Sequence, residues 1–124
     1  ELLGFRPDIW PVVAAADIVV VPSVADEPFG NTAVEAVLAA RPVVVSESGG
    51  LPEAIRGMTS AQQVPPGDAS AIATAIDTTI SSWPDVRLAA MNDASTASDR
   101  HSLSRYGDRM AEILRLVADR ASAR

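Results

Sequence analysis

Two short, unbroken runs of β-branched residues dominate the hydrophobic pattern of the chain. Residues 18–21 and 43–45 contain only Val and Ile, which is typical of strands that are covered on both faces. Between these runs, Asn31 or Thr32 is predicted to cap a helix. That helix ends before Pro42, because proline cannot continue the helical hydrogen-bond ladder. The central pattern therefore predicts a strand, a loop, a helix and a second strand.

The flanking segments predict shorter elements. Residues 2–5 have the pattern of a short strand, and Asp8 is predicted to cap a helix that runs to Ala16. A short helix is predicted over residues 52–55, opened by a proline. A weaker strand is predicted near residues 62–64, just before a Pro-Pro-Gly turn.

The second half of the chain is predicted to be helical. Asp68 is expected to cap a helix whose apolar residues follow 3–4 spacing, namely Ile72, Ala73, Ile76 and Ile80. Trp83-Pro84 separates it from a third helical stretch, and residues 95–101 are polar and loosely patterned. A last helix carries an apolar stripe that we expect to be core: Leu103, Tyr106, Met110, Ile113, Leu114 and Val117.

Strands that alternate with helices predict a right-handed parallel α/β sheet. We interpret residues 1–124 as part of one domain, with an α/β portion over residues 1–67 and a helical portion over residues 68–124. The first residues read as a strand already under way, so we expect a fragment of a longer protein.

Composition excludes several classes of function. The net charge is −6 and all ten basic residues are arginines without a basic run, so nucleic acid is not an expected partner. The chain has no cysteine, which excludes disulfides and thiolate chemistry. No apolar run is long enough to span a bilayer, and we expect a cytoplasmic protein. No spacing typical of metal ligands is present, so neither a metal nor another cofactor is expected.

The candidate chemistry lies between Glu27 and Glu35, two carboxylates with seven residues between them. The first lies in a Pro/Gly turn and the second on the predicted helix. Backbone N–H groups at the start of that helix lack intrahelical partners and can donate to an anion. Two carboxylates beside an anion site point to a ligand with both phosphate and hydroxyl groups, such as a nucleotide sugar. Each glutamate taken alone is more simply a solvated surface charge.

Several segments, in this order, resemble the C-terminal domain of retaining glycosyltransferases of the GT-B fold, family four. The matching segments are residues 3–5, 16–23, 27–30 with 35–36, 41–45, 49–53 and 65–68. The resemblance implies a parallel-sheet, Rossmann-like half-domain of the GT-B fold that is truncated at its N-terminus and followed by C-terminal helices.

The resemblance also implies roles for individual residues. Glu27 would be the catalytic residue that contacts the donor sugar, and Glu35 would bind the ribose. The diphosphate and sugar would be held by backbone N–H groups of four residues: Phe29, Gly30, Asn31 and Thr32. The nucleobase would lie against a short segment: Arg6, Pro7 and Asp8.

The implied partners are an NDP-sugar donor and an acceptor bound by an N-terminal domain that this chain does not include. We therefore expect the 124-residue chain alone to be inactive. We also expect a homodimer or another compensating contact at the sheet edge beside residues 18–21. The single histidine, His101, is expected to be a solvated loop residue, and it makes no nucleophilic triad with Ser23 or Ser48.

Two other functions remain open at this point. The chain could belong to a non-catalytic nucleotide-sugar binding module, or it could be an interaction scaffold that has merely inherited the glutamate pair. The base, the sugar and the acceptor are not determined by these residues.

Overall fold

The computed structural model describes residues 1–122, which form six helices and a three-stranded sheet. In chain order the elements are α1 (Trp10–Ala15), β1 (Val19–Val21), α2 (Asn31–Leu38), β2 (Val43–Ser46), α3 (Leu51–Ala54), β3 (Ala61–Val64), α4 (Ala69–Ser81), α5 (Trp83–Arg100) and α6 (Leu103–Ser122).

The sheet is parallel throughout, with strand order β1-β2-β3. Val43 in the central strand lies opposite Val19 on one side and Ala61 on the other. The prediction of a parallel α/β sheet is confirmed. In the described sheet β1 is an edge strand, and the homodimer expected through this edge stays a prediction.

The core forms two layers because neighbouring residues of a strand point to opposite faces. Val43 and Val45 pack with α2, α3 and Ala97 of α5, whereas Val44 packs with Ala75 of α4 and with Val64. All three valines of β2 are at most 1% exposed. The β-branched run therefore marks a strand covered on both faces, as predicted.

Two polar anchors attach the C-terminal helices to the sheet. The buried carboxylate of Asp93 in α5 accepts hydrogen bonds from the backbone N–H and the hydroxyl of Ser60, at 2.8 and 2.7 Å. The Thr59 hydroxyl also donates to it, at 3.3 Å. On the other face, the Gln62 amide donates to the Thr79 hydroxyl of α4, at 2.8 Å.

Some predicted helix boundaries are confirmed and others are wrong. Asp68 caps α4 by accepting from the Ala71 N–H at 2.9 Å, as predicted. Asp8 accepts from the Trp10 N–H at 3.0 Å, but the residue at the cap position of α1 is Ile9. The polar, loosely patterned stretch at residues 95–101 belongs to α5 as far as Arg100. The small or polar side chains at residues 90, 93 and 97 of α5 are buried, and their packing stabilises the helix.

Two further expectations, one about a strand and one about burial, are wrong. Residues 2–5 form no strand, and Phe5 is 92% exposed. A strand needs a neighbouring strand to pair its backbone N–H and C=O groups, and no described strand lies beside this segment. The apolar stripe of α6 is exposed rather than core, with Tyr106 63% exposed. Within residues 1–122 no element covers it, so amphipathic spacing here predicts the helix but not its burial.

The Asp93 anchor makes a prediction about stability. Asp93→Ala is expected to lower the free energy of unfolding by about 3 kcal/mol, because it leaves the buried Ser60 N–H and hydroxyl unpaired. The exposed carboxylate of Asp77 on α4 supplies the control, and Asp77→Ala should change stability by less than about 0.5 kcal/mol. Urea denaturation measures both, and equal losses would contradict the anchoring role.

Candidate functional site

The loop between β1 and α2 lies directly against the glycine pair that follows β2. The Gly50 N–H donates to the Glu27 carbonyl oxygen at 2.6 Å. A Cβ atom on Gly49 would lie 2.6 Å from the Glu27 backbone nitrogen, and one on Gly50 would lie 2.7 Å from the Cα atom of Phe29. Gly49 also has φ +53°, which disfavours other residues. The glycine pair therefore supports the loop from behind.

The side chain of Glu27 is half-buried and is held by a neighbour within the same loop. The Ser23 hydroxyl donates to Oε1 of Glu27 at 2.9 Å. The buried Ser48 hydroxyl donates to the Ala25 carbonyl oxygen at 2.8 Å and fixes the middle of the loop. Sequence reasoning considered Ser23 and Ser48 only as nucleophiles and missed this supporting role. The proline-serine pair four residues before Glu27 was the available signal.

The start of α2 provides four N–H groups that donate to no acceptor within residues 1–122. The cap residue is Gly30, with φ 91°, and the predicted caps Asn31 and Thr32 lie inside the helix. A Cβ atom at Gly30 would lie 2.7 Å from a side-chain carbon of Leu51, so packing and backbone conformation both select glycine. A glycine cap offers no side-chain oxygen.

Among the described residues, no hydrogen bond is donated by the N–H groups of this stretch, which are those of Phe29, Gly30, Asn31 and Thr32. Together with the positive end of the helix dipole, these groups favour an anion at this position. The stretch lies at the carboxyl end of β1, where open parallel sheets bind ligands.

Glu35 and residues 6–8, the predicted nucleobase segment, lie outside the loop that carries Glu27. Glu35 is half-buried on α2, and its carboxylate has no partner among residues 1–122. Arg6, Pro7 and Asp8 are exposed just before α1. No described hydrogen bond joins them to the Glu27 loop, so their role at a nucleobase stays a prediction.

His101 is exposed and lies outside the helices, as the sequence suggested, but its ring also contacts another aromatic ring. It lies at the turn between α5 and α6, where its ring meets the ring of Phe29 edge to face at 6.2 Å between centroids. Partial burial, and then the positive charge of Arg100, lower the pKa of His101 below its ordinary value. A cavity of about 760 Å³ opens beside these two rings, between α3 and the start of α6.

Comparison with known proteins agrees with this geometry. Residues 1–82 match the sequence profile of the family described as glycosyl transferases group 1. Over 94 residues the chain is 42% identical to a D-inositol 3-phosphate glycosyltransferase of Mycobacterium sp. strain KMS. This match covers 75% of this chain and 21% of the relative. The chain is also 34% identical over 135 aligned positions to the 2-deoxystreptamine N-acetyl-D-glucosaminyltransferase of Streptomyces fradiae. This match covers 96% of this chain and 28% of the relative.

Among solved structures, the Anabaena protein HepE in complex with UDP superposes with a TM-score of 0.84 and 35% identity. The match covers 92% of this chain and 31% of HepE. The fold is that of the Rossmann-like C-terminal domain of GT-B glycosyltransferases. The chain belongs to the group 1 glycosyl transferases, and it spans less than a third of the length of these relatives. Within residues 1–122, no helix combines the length and the apolar character needed to cross a membrane.

The support from the glycine pair can be tested by substitution. Gly49→Ala is expected to destabilise the fold by about 3 kcal/mol, because the new methyl group overlaps the Glu27 backbone and the positive φ is strained. Gly107→Ala is the matched control, since a Cβ atom there meets nothing within 4 Å on helix α6. It should stabilise by up to about 1 kcal/mol. Thermal or urea unfolding gives both values, and an unchanged Gly49→Ala protein would contradict the close contact.

The environment of His101 leads to a prediction about the pKa of its ring. The single histidine should titrate below its ordinary pKa of about 6.5, and Arg100→Gln should raise that pKa while Arg100→Lys leaves it low. Burial is the larger cause, so the Arg100→Gln variant should recover only part of the shift.

The fold disfavours the imidazolium form of His101, so the stability tied to this group has a defined pH dependence. The contribution is complete above the unfolded pKa and is lost as the pH falls toward the folded pKa. Proton NMR of the histidine ring measures the titration, and a pKa at or above the ordinary value would contradict the partial burial of the ring beside Arg100.

Proposed function

We propose that this chain is the donor-binding part of a retaining glycosyltransferase that moves a sugar from a nucleotide sugar to an acceptor. The observation that carries the proposal is the arrangement at the start of α2. Four N–H groups without an acceptor in the described part of the chain lie, in sequence, between two half-buried glutamates. The crystal structures of HepE in complex with UDP and with UDP-glucose support a nucleotide-sugar donor.

In this proposal the two glutamates bind different parts of the donor. Glu27, oriented by Ser23, accepts hydrogen bonds from the sugar hydroxyls. Glu35, which lies one turn after the start of α2, accepts hydrogen bonds from the ribose hydroxyls. The diphosphate lies on the N–H groups of residues 29–32, and the nucleobase lies against residues 6–8.

The chemistry follows from where charge develops in the reaction. As the bond from the sugar to the diphosphate breaks, the sugar becomes cationic and the leaving group gains negative charge. N–H donors that already point to that position stabilise the leaving group without reorganisation. The glycine pair behind the loop holds these donors in place before the substrate arrives. Retention of configuration, independence from a metal and a cytoplasmic location belong to the same proposal.

The acceptor is proposed to bind to an N-terminal domain outside this chain, and the chain alone is proposed to be inactive. The names of two relatives give acceptor chemistries of opposite charge. D-inositol 3-phosphate is an anion, whereas 2-deoxystreptamine is a diamine that is cationic at neutral pH. The family alone therefore does not select the charge of the acceptor.

The proposed roles of the glutamates are separated by comparing UDP with UDP-glucose. Glu27→Gln is expected to weaken UDP-glucose binding about tenfold and Ser23→Ala about threefold, while UDP binding stays unchanged, since UDP lacks the sugar. Glu35→Gln should weaken both ligands equally, because both contain the ribose. Glu112→Gln, on the exposed side of α6, is the control.

The measurement is an amide-shift titration of the 124-residue chain, with GDP and ADP as further ligands that identify the base. Loss of UDP binding in Ser23→Ala would show that Ser23 acts only through the fold. Absence of shifts at residues 29–35 with every nucleotide, both in this chain and in the whole protein, would refute the donor site. Donor binding without transfer by the whole protein would favour the non-catalytic binding module.

A further inference from the structure

The loop after β1 and the segment after β2 stay joined beyond the ends of both strands. The Ser48 hydroxyl donates to the Ala25 carbonyl oxygen at 2.8 Å, and the Gly50 N–H donates to the Glu27 carbonyl oxygen at 2.6 Å. The two acceptors lie two residues apart on the loop, and the two donors lie two residues apart on the other segment. These contacts therefore repeat the spacing of a parallel ladder after the strands have ended.

One of the two contacts is made by a side chain, because the backbone N–H of Ser48 is already engaged. That N–H donates to the Ser46 carbonyl oxygen at 2.8 Å, and the Ser48 hydroxyl takes its place in the contact with the loop. Within residues 1–122, no other group donates to the Ala25 carbonyl oxygen. This end of the loop is therefore held by a single hydroxyl group.

The segment held by this hydroxyl is the one that orients the Glu27 carboxylate. The Ser23 hydroxyl donates to Oε1 of Glu27 at 2.9 Å. Within residues 1–122, every hydrogen bond that joins residues 22–26 to another segment is donated by the Ser48 hydroxyl. Loss of that hydroxyl would release Ser23 together with Ala25, while the glycine pair still holds the Glu27 backbone.

We infer that Ser48 is a positioning residue for the donor sugar; this inference rests on the proposed function. Its hydroxyl holds the loop so that Glu27 keeps the position at which it accepts hydrogen bonds from the sugar hydroxyls. A binding group must be held to within about 0.5 Å of its productive position, so a loop released on one side loses affinity for the sugar.

The nucleotide part of the donor does not depend on Ser48 in the same way. The N–H groups proposed to hold the diphosphate belong to residues 29–32, which follow the contact with the glycine pair. Glu35, proposed to bind the ribose, lies on α2. Ser48 should therefore control the preference for a nucleotide sugar over the nucleotide alone, and not the affinity for the nucleotide.

The test compares UDP-glucose with UDP by amide-shift titration of the 124-residue chain and of the whole protein. Ser48→Ala is expected to weaken UDP-glucose about threefold and to leave UDP unchanged, as for the loss of one neutral hydrogen bond. Ser48→Cys should have the same effect, because a thiol fills the space of the hydroxyl but is a weak donor. A purely structural role would weaken both ligands or neither.

Two neighbouring residues supply matched controls. The Ser46 hydroxyl is fully buried and has no hydrogen-bond partner in the described part of the chain. Ser46→Ala therefore removes the same group from the same segment without removing a contact, and both affinities should stay unchanged. Asp26→Ala removes the second oxygen near the Ser48 hydroxyl, a carboxylate oxygen at 3.5 Å. It should also leave both affinities unchanged, because the contact with Ala25 remains.

Three results would overturn the inference. The first is an equal affinity of Ser48→Ala and Ser46→Ala for UDP-glucose. The second is full affinity in Ser48→Cys, since packing and not the hydrogen bond would then hold the loop. The third is a loss in Asp26→Ala that equals the loss in Ser48→Ala, since the carboxylate would then be the partner that matters.

The same samples separate this inference from the donor proposal. Shifts at residues 29–35 with both ligands, identical in the unchanged chain and in Ser48→Ala, would refute the role of Ser48 and leave the donor site standing. No response to either ligand, in the chain and in the whole protein, would refute the donor site, and the inference would fall with it. The amide spectrum of each variant without ligand shows whether it is folded, and changes confined to residues 22–27 in Ser48→Ala would locate the released segment.

Discussion

The contact between the backbone of residues 27–29 and the glycine pair at residues 49–50 is the constraint on which the candidate site depends. It joins the segment after β1 to the segment after β2, at a separation that leaves no room for a Cβ atom. The hydrogen bond from the Gly50 N–H to the Glu27 carbonyl oxygen fixes the peptide that carries the Glu27 side chain. The same contact orients the turn into α2, and with it the free N–H groups. Every proposed donor contact on this loop therefore depends on two glycines that themselves touch no ligand in the proposal.

A separate constraint holds the helical half of the molecule. The polar anchor at Asp93 attaches α5 to the turn before β3, and the amide of Gln62 attaches α4 on the other face. Both anchors contact β3 or the residue before it, while the candidate donor site belongs to β1 and α2. The strand with the weakest hydrophobic pattern is thus secured by side-chain hydrogen bonds rather than by apolar burial alone.

Much of the fold could be predicted because its signals are local. Continuous β-branched residues indicated β1 and β2, and an aspartate followed by 3–4 spacing indicated α4 and its cap. The failures concern features that depend on distant partners. The cap of α2 is Gly30 because Leu51 leaves no space for a side chain there, and no local pattern reports that neighbour. The stripe of α6 predicted a helix correctly, but burial needs a second surface, which residues 1–122 do not supply.

The features of the candidate site were likewise predictable only where their signals are local in the sequence. The glutamate pair and the glycine turn could be recognised from their spacing. The role of Ser23 and the contact between Phe29 and His101 could not, because they arise from side-chain orientation and from residues far apart in sequence.

Phe29 connects two parts of the molecule that are otherwise distant along the chain. Its peptide belongs to the loop at the start of α2, and its ring touches His101 at the joint between α5 and α6. A displacement of this peptide is therefore either taken up by rotation of the Phe29 side chain or carries the ring away from His101. The surroundings of His101 thus report on the position of a loop that lies far away along the chain.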